Sequence, residues 1–133
     1  MPRTAQIPSL TPAELDLLRV LWRIGAADAR SVHEALALEQ PEATYAAVLR
    51  HLQLMHAKGL LKRDERQRPQ LYSPVQAQEK TQRGLLKDVI ARMFEGSGKA
   101  LVLAALKSHV SPSERAEIAR LLRDEGGSDG DAR

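Results

Sequence analysis

Three segments among the first 60 residues carry hydrophobic residues at every third or fourth position, the spacing of one helix face. The three sets are Leu15, Leu18, Leu21 and Trp22; Val32, Ala35 and Leu36; and Val48, Leu52 and Met55. Thr11, Pro12 and Glu14 have the pattern of a capping box before the first set. Thr44 is placed to cap the third helix, and Gly59 stands where that helix ends. The sequence therefore predicts three short helices.

Two short segments suited to extended backbone follow the third helix. They are Leu60–Arg63 and Gln70–Ser73, and the polar, proline-containing segment Asp64–Pro69 separates them. This pattern indicates a β-hairpin. Three helices followed by a hairpin is the order of a winged helix-turn-helix domain, whose third helix enters the DNA major groove. We predict such a DNA-binding domain over residues 1–75.

The helical pattern returns after Pro74 in three further segments, which makes the predicted fold mainly α. A stripe runs from Leu85 to Phe94, Ala100–Leu106 is apolar nearly all round, and Ser111–Glu114 has the residues of a second capping box. These apolar faces are too large for about 50 residues to bury alone, so a second copy is expected to cover them. The sequence predicts a three-helix dimerisation region over residues 76–125 and a small, polar, disordered tail over residues 126–133. The contact is expected to use Leu86, Val89, Ile90, Phe94, Leu101, Leu106, Ile118 and Leu121.

Composition excludes several classes of protein. The chain has 133 residues, of which 43% are hydrophobic and 28% charged, and it contains no cysteine. Disulfides and thiolate metal sites are therefore excluded. The longest apolar run, Ala100–Leu106, is far shorter than the roughly 20 residues of a membrane span. The first residues lack the charge and hydropathy pattern of a signal peptide, so a cytoplasmic protein without membrane insertion is expected.

Basic residues cluster from Arg50 to Arg68. Six basic residues against two acidic ones give this segment a net charge of +4, whereas the whole chain has +3. A cluster that spans a presented helix and a hairpin tip suits contact with phosphates, because each contact releases counterions. A solvated hairpin is also often charged. The order of the predicted elements favours double-stranded DNA as the partner.

The third helix supplies most of the predicted DNA contacts. Arg50 is placed to reach a guanine edge, and the methyl groups of Ala46 and Ala47 are either thymine contacts or neutral helix formers. Thr44 is a helix cap that can also offer donors to a phosphate, and Tyr45 either bonds a phosphate or packs. The predicted DNA-binding residues are Thr44, Tyr45, Ala46, Ala47, Arg50, Gln53, Leu54, Arg66 and Arg68.

No residues point to catalysis, to a metal or to a cofactor. The four histidines lie on different predicted elements or, for His51 and His56, five positions apart on one helix, which is not the spacing of a ligand pair. No nucleophile motif, phosphate loop or paired-carboxylate site is present, which leaves a small hydrolase strongly disfavoured. The alternative to a DNA-binding repressor is a winged helix that binds another protein.

The chain resembles the penicillinase-repressor family, the winged-helix repressors of β-lactam resistance operons and their copper-responsive relatives. The resemblance covers about residues 7–124. It rests on the order and spacing of Leu10–Leu15, Leu21-Trp22, Val32–Leu36, Thr44–Leu49, Lys58–Leu60, Tyr72–Val75, Leu101–Leu103, Leu106 and Ser111–Glu114. It implies a homodimeric transcriptional repressor that binds a palindromic operator and regulates antibiotic resistance.

Three departures from the family pattern change what the resemblance implies. Many members have Tyr-Thr-Thr-Val where this chain has Tyr45–Val48, so two hydroxyls are missing and Arg50 is expected to take over readout. In the β-lactam branch a membrane sensor metalloprotease system relieves repression by cleavage in the dimerisation region. The matching bond here is Ala104-Ala105 instead of Asn-Phe. The cysteine motif of the copper branch is absent, which disfavours copper sensing.

Overall fold

The computed structural model describes residues 10–132. Within them the chain forms six helices and one β-hairpin, a mainly helical fold of the winged-helix type followed by a helical region. The elements are α1 (Pro12–Ile24), α2 (Ala29–Glu39), α3 (Tyr45–Ala57), β1 (Leu61–Asp64), β2 (Leu71–Pro74), α4 (Gln78–Met93), α5 (Gly98–Ser108) and α6 (Pro112–Ala132). None of these helices is both long and apolar enough to cross a membrane.

The predicted helix ends of α1 and α3 are confirmed. The Thr11 hydroxyl accepts the Glu14 amide at 3.1 Å, and the Glu14 carboxylate accepts the Thr11 amide at 2.9 Å, which completes the capping box. At the end of α3, Gly59 has a φ of +85°, and the Leu60 amide donates to the Met55 carbonyl at 2.9 Å. This is a Schellman ending, for which glycine is the favoured residue because its φ is positive. Local sequence therefore fixes both ends of the helical segment.

One hydrophobic core joins α1, α2, α3 and the hairpin. Its largest fully buried side chains are Leu17, Val20, Leu21, Val32, Leu52 and Met55. Tyr72 of β2 is also buried, and its backbone exchanges two hydrogen bonds with Ala27, of 3.0 and 2.8 Å, in the link between α1 and α2. The base of the hairpin is thus tied to the helices that hold α3.

The hairpin differs from the prediction by one residue on each strand. Leu61 pairs with Pro74 and Asp64 with Leu71 in an antiparallel register. The predicted first strand began at Leu60, but the Leu60 amide is bound to α3 in the Schellman ending. The ladder therefore starts one residue later.

The N-terminal compact unit extends to Leu85 and so includes the start of α4. The Trp22 indole N–H donates to the Gln76 carbonyl at 3.0 Å, and the hydroxyl of buried Thr81 donates to the Gln76 side chain at 3.0 Å. These bonds attach the start of α4 to α1. Side-chain hydrogen bonds thus hold the start of α4 against the N-terminal helices.

The second compact unit contains the rest of α4 together with α5 and α6. The predicted capping box at Ser111 and Glu114 is confirmed by reciprocal bonds of 2.9 and 3.1 Å. α6 continues to Ala132, so residue 125 is not a helix end; Arg133 lies outside the described residues. Glycine weakens a helix without forbidding it, and no proline follows Pro112 to stop this one.

The apolar segment Ala100–Leu106, which a second copy is expected to cover, is not buried within a single chain. No residue of α5 is buried, and Val102 and Leu103 are 52% and 44% exposed. Three helices of this size leave too little of their own surface to cover the apolar segment Ala100–Leu106. Covering it requires surface from outside this unit.

Candidate nucleic-acid interface

The core fixes which face of α3 meets solvent. Val48, Leu52 and Met55 are buried, and a helix places residues about 100° apart around its axis. The face directly opposite therefore carries an exposed stripe of Ala46, Arg50, Gln53 and Ala57. Three of these four positions were predicted as DNA contacts.

Arg50 and Gln53 are the polar members of this stripe. Both are exposed, and within residues 10–125 neither side chain has an ion pair or a hydrogen-bond partner. Their donors and acceptors are thus available to a ligand. Leu54 is 49% exposed beside the stripe and offers apolar contact there.

The N-terminus of α3 brings together the other predicted contacts. The exposed Thr44 caps the helix, since its hydroxyl oxygen accepts the Ala47 amide at 3.2 Å. Tyr45 is 38% exposed, so it packs in part and keeps part of its surface free. Ala46 is exposed and Ala47 half-buried. The predicted residues of this helix therefore share one accessible end and face.

Ion pairs within the hairpin reduce the predicted cluster of positive charge. Arg66 bonds Asp64 at 3.2 Å, and Arg63 bonds Glu65 at 2.7 Å. The hydrogen bonds from the Arg66 side chain and amide hold the pKa of Asp64 below its usual value. Arg68 is exposed and has no ion pair among the described residues. The two predicted hairpin contacts are therefore unequal: Arg68 is free and Arg66 is partly neutralised.

A further basic residue, Lys58, forms an ion pair that stabilises the fold. Its ammonium group forms an ion pair with Glu14, which is 5% exposed. Burial raises the pKa of Glu14, but hydrogen bonds from Lys58 and from the Thr11 amide outweigh burial and lower it. This pair joins the start of α1 to the end of α3 and so helps to fix the presented helix.

The Glu14 pair gives a prediction about pH. Because the pKa of Glu14 is lowered in the folded state, its stabilisation is present above the ordinary value of 4.5 and is lost as pH falls through the lowered value. Glu14→Gln keeps a cap acceptor but removes the charge. We expect it to destabilise the protein by about 1 kcal/mol at neutral pH and by less at an acidic pH well below 4.5, where Glu14 becomes protonated in the folded state too. Thermal unfolding at both pH values measures this, with exposed Glu34→Gln as the control; equal losses at both pH values would contradict it.

A groove lies beside the stripe, between α3 and the hairpin. It has a volume of about 280 Å³. Its walls come from the start of α2, one flank of α3, the end of the hairpin loop and strand β2: Asp28, Ala29, Arg30, Tyr45, Leu49, Gln53, Pro69, Gln70 and Tyr72. Tyr45 and Gln53 of α3 thus share this groove with residues of α2 and of the hairpin, which are distant from them in the sequence.

Sequence reasoning missed Arg30 in this groove. Its guanidinium carbon lies 5.4 Å from the centre of the Tyr45 ring. In the sequence Arg30 is a single charge in the first turn of a short helix, outside the basic cluster. No local signal distinguishes it from a solvated residue, because its partner is 15 positions away on another helix.

The predicted dimerisation residues form a partly exposed apolar set in the second unit. Leu86, Val89 and Leu121 are 46%, 41% and 51% exposed. The other five, Ile90, Phe94, Leu101, Leu106 and Ile118, are half-buried. The predicted cleavage residues, Ala104 and Ala105, are exposed on α5. Within the described residues no group of three or more acidic or histidine side chains is placed to hold a metal ion.

Comparison with known proteins gives a matching family and similar solved structures. The family described as Penicillinase repressor matches residues 10–124. The chain is similar to a solved structure of BpsR from Bordetella bronchiseptica, a protein whose DNA binding is regulated by 6-hydroxynicotinic acid. The two are 21% identical with a TM-score of 0.45, over 90% of this chain and 77% of that one. No curated protein matches the sequence.

Proposed function

Since the chain belongs to the penicillinase repressor family and is thus a transcriptional regulator, we propose that it is a homodimeric repressor that binds a palindromic DNA operator. The observation that carries the proposal is the exposed stripe of α3. Arg50 and Gln53 stand there with free hydrogen-bonding groups, directly opposite the residues that fix the helix in the core. A helix presented in this way fits the major groove of B-DNA.

The hairpin extends the contact surface beyond α3. Its base is held by the Ala27–Tyr72 hydrogen bonds, and exposed Arg68 lies at its tip. When α3 occupies a major groove, a hairpin on this side lies at the neighbouring minor groove, where its tip meets the phosphates that border that groove. The stripe then supplies sequence recognition and the hairpin supplies affinity for phosphates.

Dimerisation is supported by the surface of the second unit. Leu86, Val89 and Leu121 leave apolar side chains in solvent, and α5 has no buried residue. A second copy with the same surface covers them by two-fold symmetry. Two α3 helices related in this way read two inverted half-sites, which is the geometric meaning of a palindromic operator.

Two substitutions separate recognition of bases from contact with the backbone. Arg50→Ala is expected to cost about 1 to 3 kcal/mol on the cognate operator and to relax preference at one base pair. Arg68→Ala is expected to weaken binding to every duplex and to lower the salt slope by about one unit. Arg66→Ala is expected to change the slope less, because Asp64 already neutralises Arg66. Fluorescence anisotropy on cognate and scrambled duplexes measures all three. Equal losses on the two duplexes for Arg50→Ala would assign Arg50 to the backbone.

The alternative, a winged helix that binds another protein, gives a different response to salt. Binding to DNA weakens linearly on a log–log plot of affinity against salt, whereas an apolar protein interface is nearly insensitive to it. A titration of the whole chain against duplex DNA at several salt concentrations therefore tests the proposal. A steep slope supports DNA binding, and the absence of binding at low salt contradicts it.

Relief of repression by cleavage is the finer part of the proposal. We place the cut at Ala104-Ala105, with a membrane sensor metalloprotease system as the source of the signal. Both residues are exposed, but they lie within α5, where the Ala104 carbonyl accepts the Ser108 hydroxyl at 2.7 Å and the Ala105 carbonyl accepts the His109 amide at 2.8 Å. A protease needs extended backbone, so these bonds must break before cleavage. The intact helix is thus the resistant state.

A further inference from the structure

Arg30 holds an unused guanidinium over the ring of Tyr45. The 5.4 Å between the guanidinium carbon and the ring centre lies within the range of a cation–π contact. Arg30 is exposed and has no ion pair or hydrogen-bond partner among residues 10–125. The contact with the Tyr45 ring therefore orients the Arg30 guanidinium while its N–H donors stay free.

The ring that carries Arg30 is itself held from another side. His33 meets the Tyr45 ring in an edge-to-face arrangement, with 6.1 Å between ring centres and 74° between planes. The imidazole Nε2 lies 2.9 Å from the Ala43 carbonyl oxygen, in the turn before α3. Arg30 thus stands on a platform built from α2 and α3.

This platform forms one wall of the groove between α3 and the hairpin. Among the described residues that line the groove, Arg30 is the one cation. Asp28 is the one acid, and its carboxylate accepts the Ser31 amide at 2.8 Å as the cap of α2. Without Arg30 the groove would keep the negative charge of Asp28 and repel a polyanion.

A duplex bound as proposed would place a phosphate strand at this groove. In B-DNA a sugar-phosphate strand separates each major groove from the neighbouring minor groove. If α3 enters the major groove and the hairpin lies at the minor groove, that strand passes between the two elements. The groove that contains Arg30 lies between those same two elements.

We propose that Arg30 and Tyr45 form a phosphate site for the DNA strand that crosses between α3 and the hairpin. The Arg30 guanidinium donates to the phosphate oxygens, and the Tyr45 hydroxyl donates to the same strand. The site rests on the proposed function and adds to it a backbone contact from α2. It contributes affinity for DNA of any sequence.

Salt dependence of binding to a random-sequence duplex tests this site. One phosphate contact contributes about 0.9 to the log–log slope of affinity against salt. Raising KCl from about 50 to about 200 mM should therefore reduce the DNA affinity of the wild type by a factor about three to four times larger than the factor for Arg30→Ala. Arg30→Lys keeps the charge and is expected to keep the slope. Tyr45→Ala removes the ring that orients Arg30. It should therefore reduce DNA affinity less in the Arg30→Ala variant than in the wild type. Arg92→Ala, which removes an exposed arginine paired with Asp88 in the second unit, is the matched control and is expected to leave the slope unchanged.

The outcomes distinguish this site from the proposed function. If the wild type has a steep slope and Arg30→Ala has the same one, the phosphate site is wrong and DNA binding stands. If Arg30→Ala loses affinity only for a cognate operator, Arg30 reads a base and the site is again wrong. If the wild type binds no duplex at low salt, the proposed function fails as well. Thermal unfolding of each variant shows that loss of binding is not loss of folding.

Discussion

A chain that ends at Ala104 is expected to be monomeric and to lose operator binding, although the whole N-terminal unit remains. The truncation removes the last four residues of α5 and all of α6, and with them Leu106, Ile118 and Leu121 of the predicted contact. A weaker dimer loses the effective concentration that joins two half-site contacts, which is worth about 10²- to 10⁴-fold in affinity. The loss is therefore expected without any change in α3.

Sedimentation and anisotropy with the 1–104 chain measure both parts of this prediction. A chain of residues 1–125 is the control, because it removes only residues 126–133 and is expected to behave as the full chain. A 1–104 chain that dimerises and binds operator as tightly as the full chain would refute relief by cleavage.

Charge placed on the apolar face of α4 is expected to break the dimer without unfolding the chain. Leu86 and Val89 are three positions apart, on one side of the helix, and both are more than 40% exposed in a single chain. Leu86→Glu with Val89→Glu therefore leaves the folded monomer almost unchanged. In the dimer each unpaired buried charge costs several kcal/mol.

The double variant should sediment as a monomer at micromolar concentration and bind operator weakly. Lys87→Glu, between the two sites, changes the charge of an exposed neighbour and is the control. A double variant that remains dimeric would show that the dimer contact does not use this face of α4. A wild type that sediments as a monomer would show that the proposed homodimer is wrong.

Most of the helix ends in this fold follow from short sequence patterns. The caps at Thr11, Thr44 and Ser111 and the Schellman ending at Gly59 depend on residues within a few positions, so sequence alone predicts them. The start of β1 was one residue off because one amide had two competing partners. The sequence does not predict the continuation of α6, because the small polar residues after Glu125 are typical of a helix end.

The candidate site is less accessible to sequence reasoning because charges act through pairing in space. Counting residues gave the segment from Arg50 to Arg68 a net charge of +4, but Lys58 is paired with Glu14 from a distant helix. Arg30 is the opposite case. It is an isolated charge in the sequence, but in the structure it lies over the Tyr45 ring, and this contact is the basis of its proposed role. The exposed stripe of α3 was predictable, because the buried positions of an amphipathic helix determine the opposite face.

Selection of duplexes from a random DNA pool by the full chain tests the central claim most directly. A homodimer that presents two α3 helices should enrich two inverted half-sites whose centres lie about one helical turn, 10 to 10.5 base pairs, or a multiple of it apart. Arg50→Ala should then relax one position in each half-site symmetrically. Enrichment of no sequence, or of a single half-site without an inverted partner, would contradict the account.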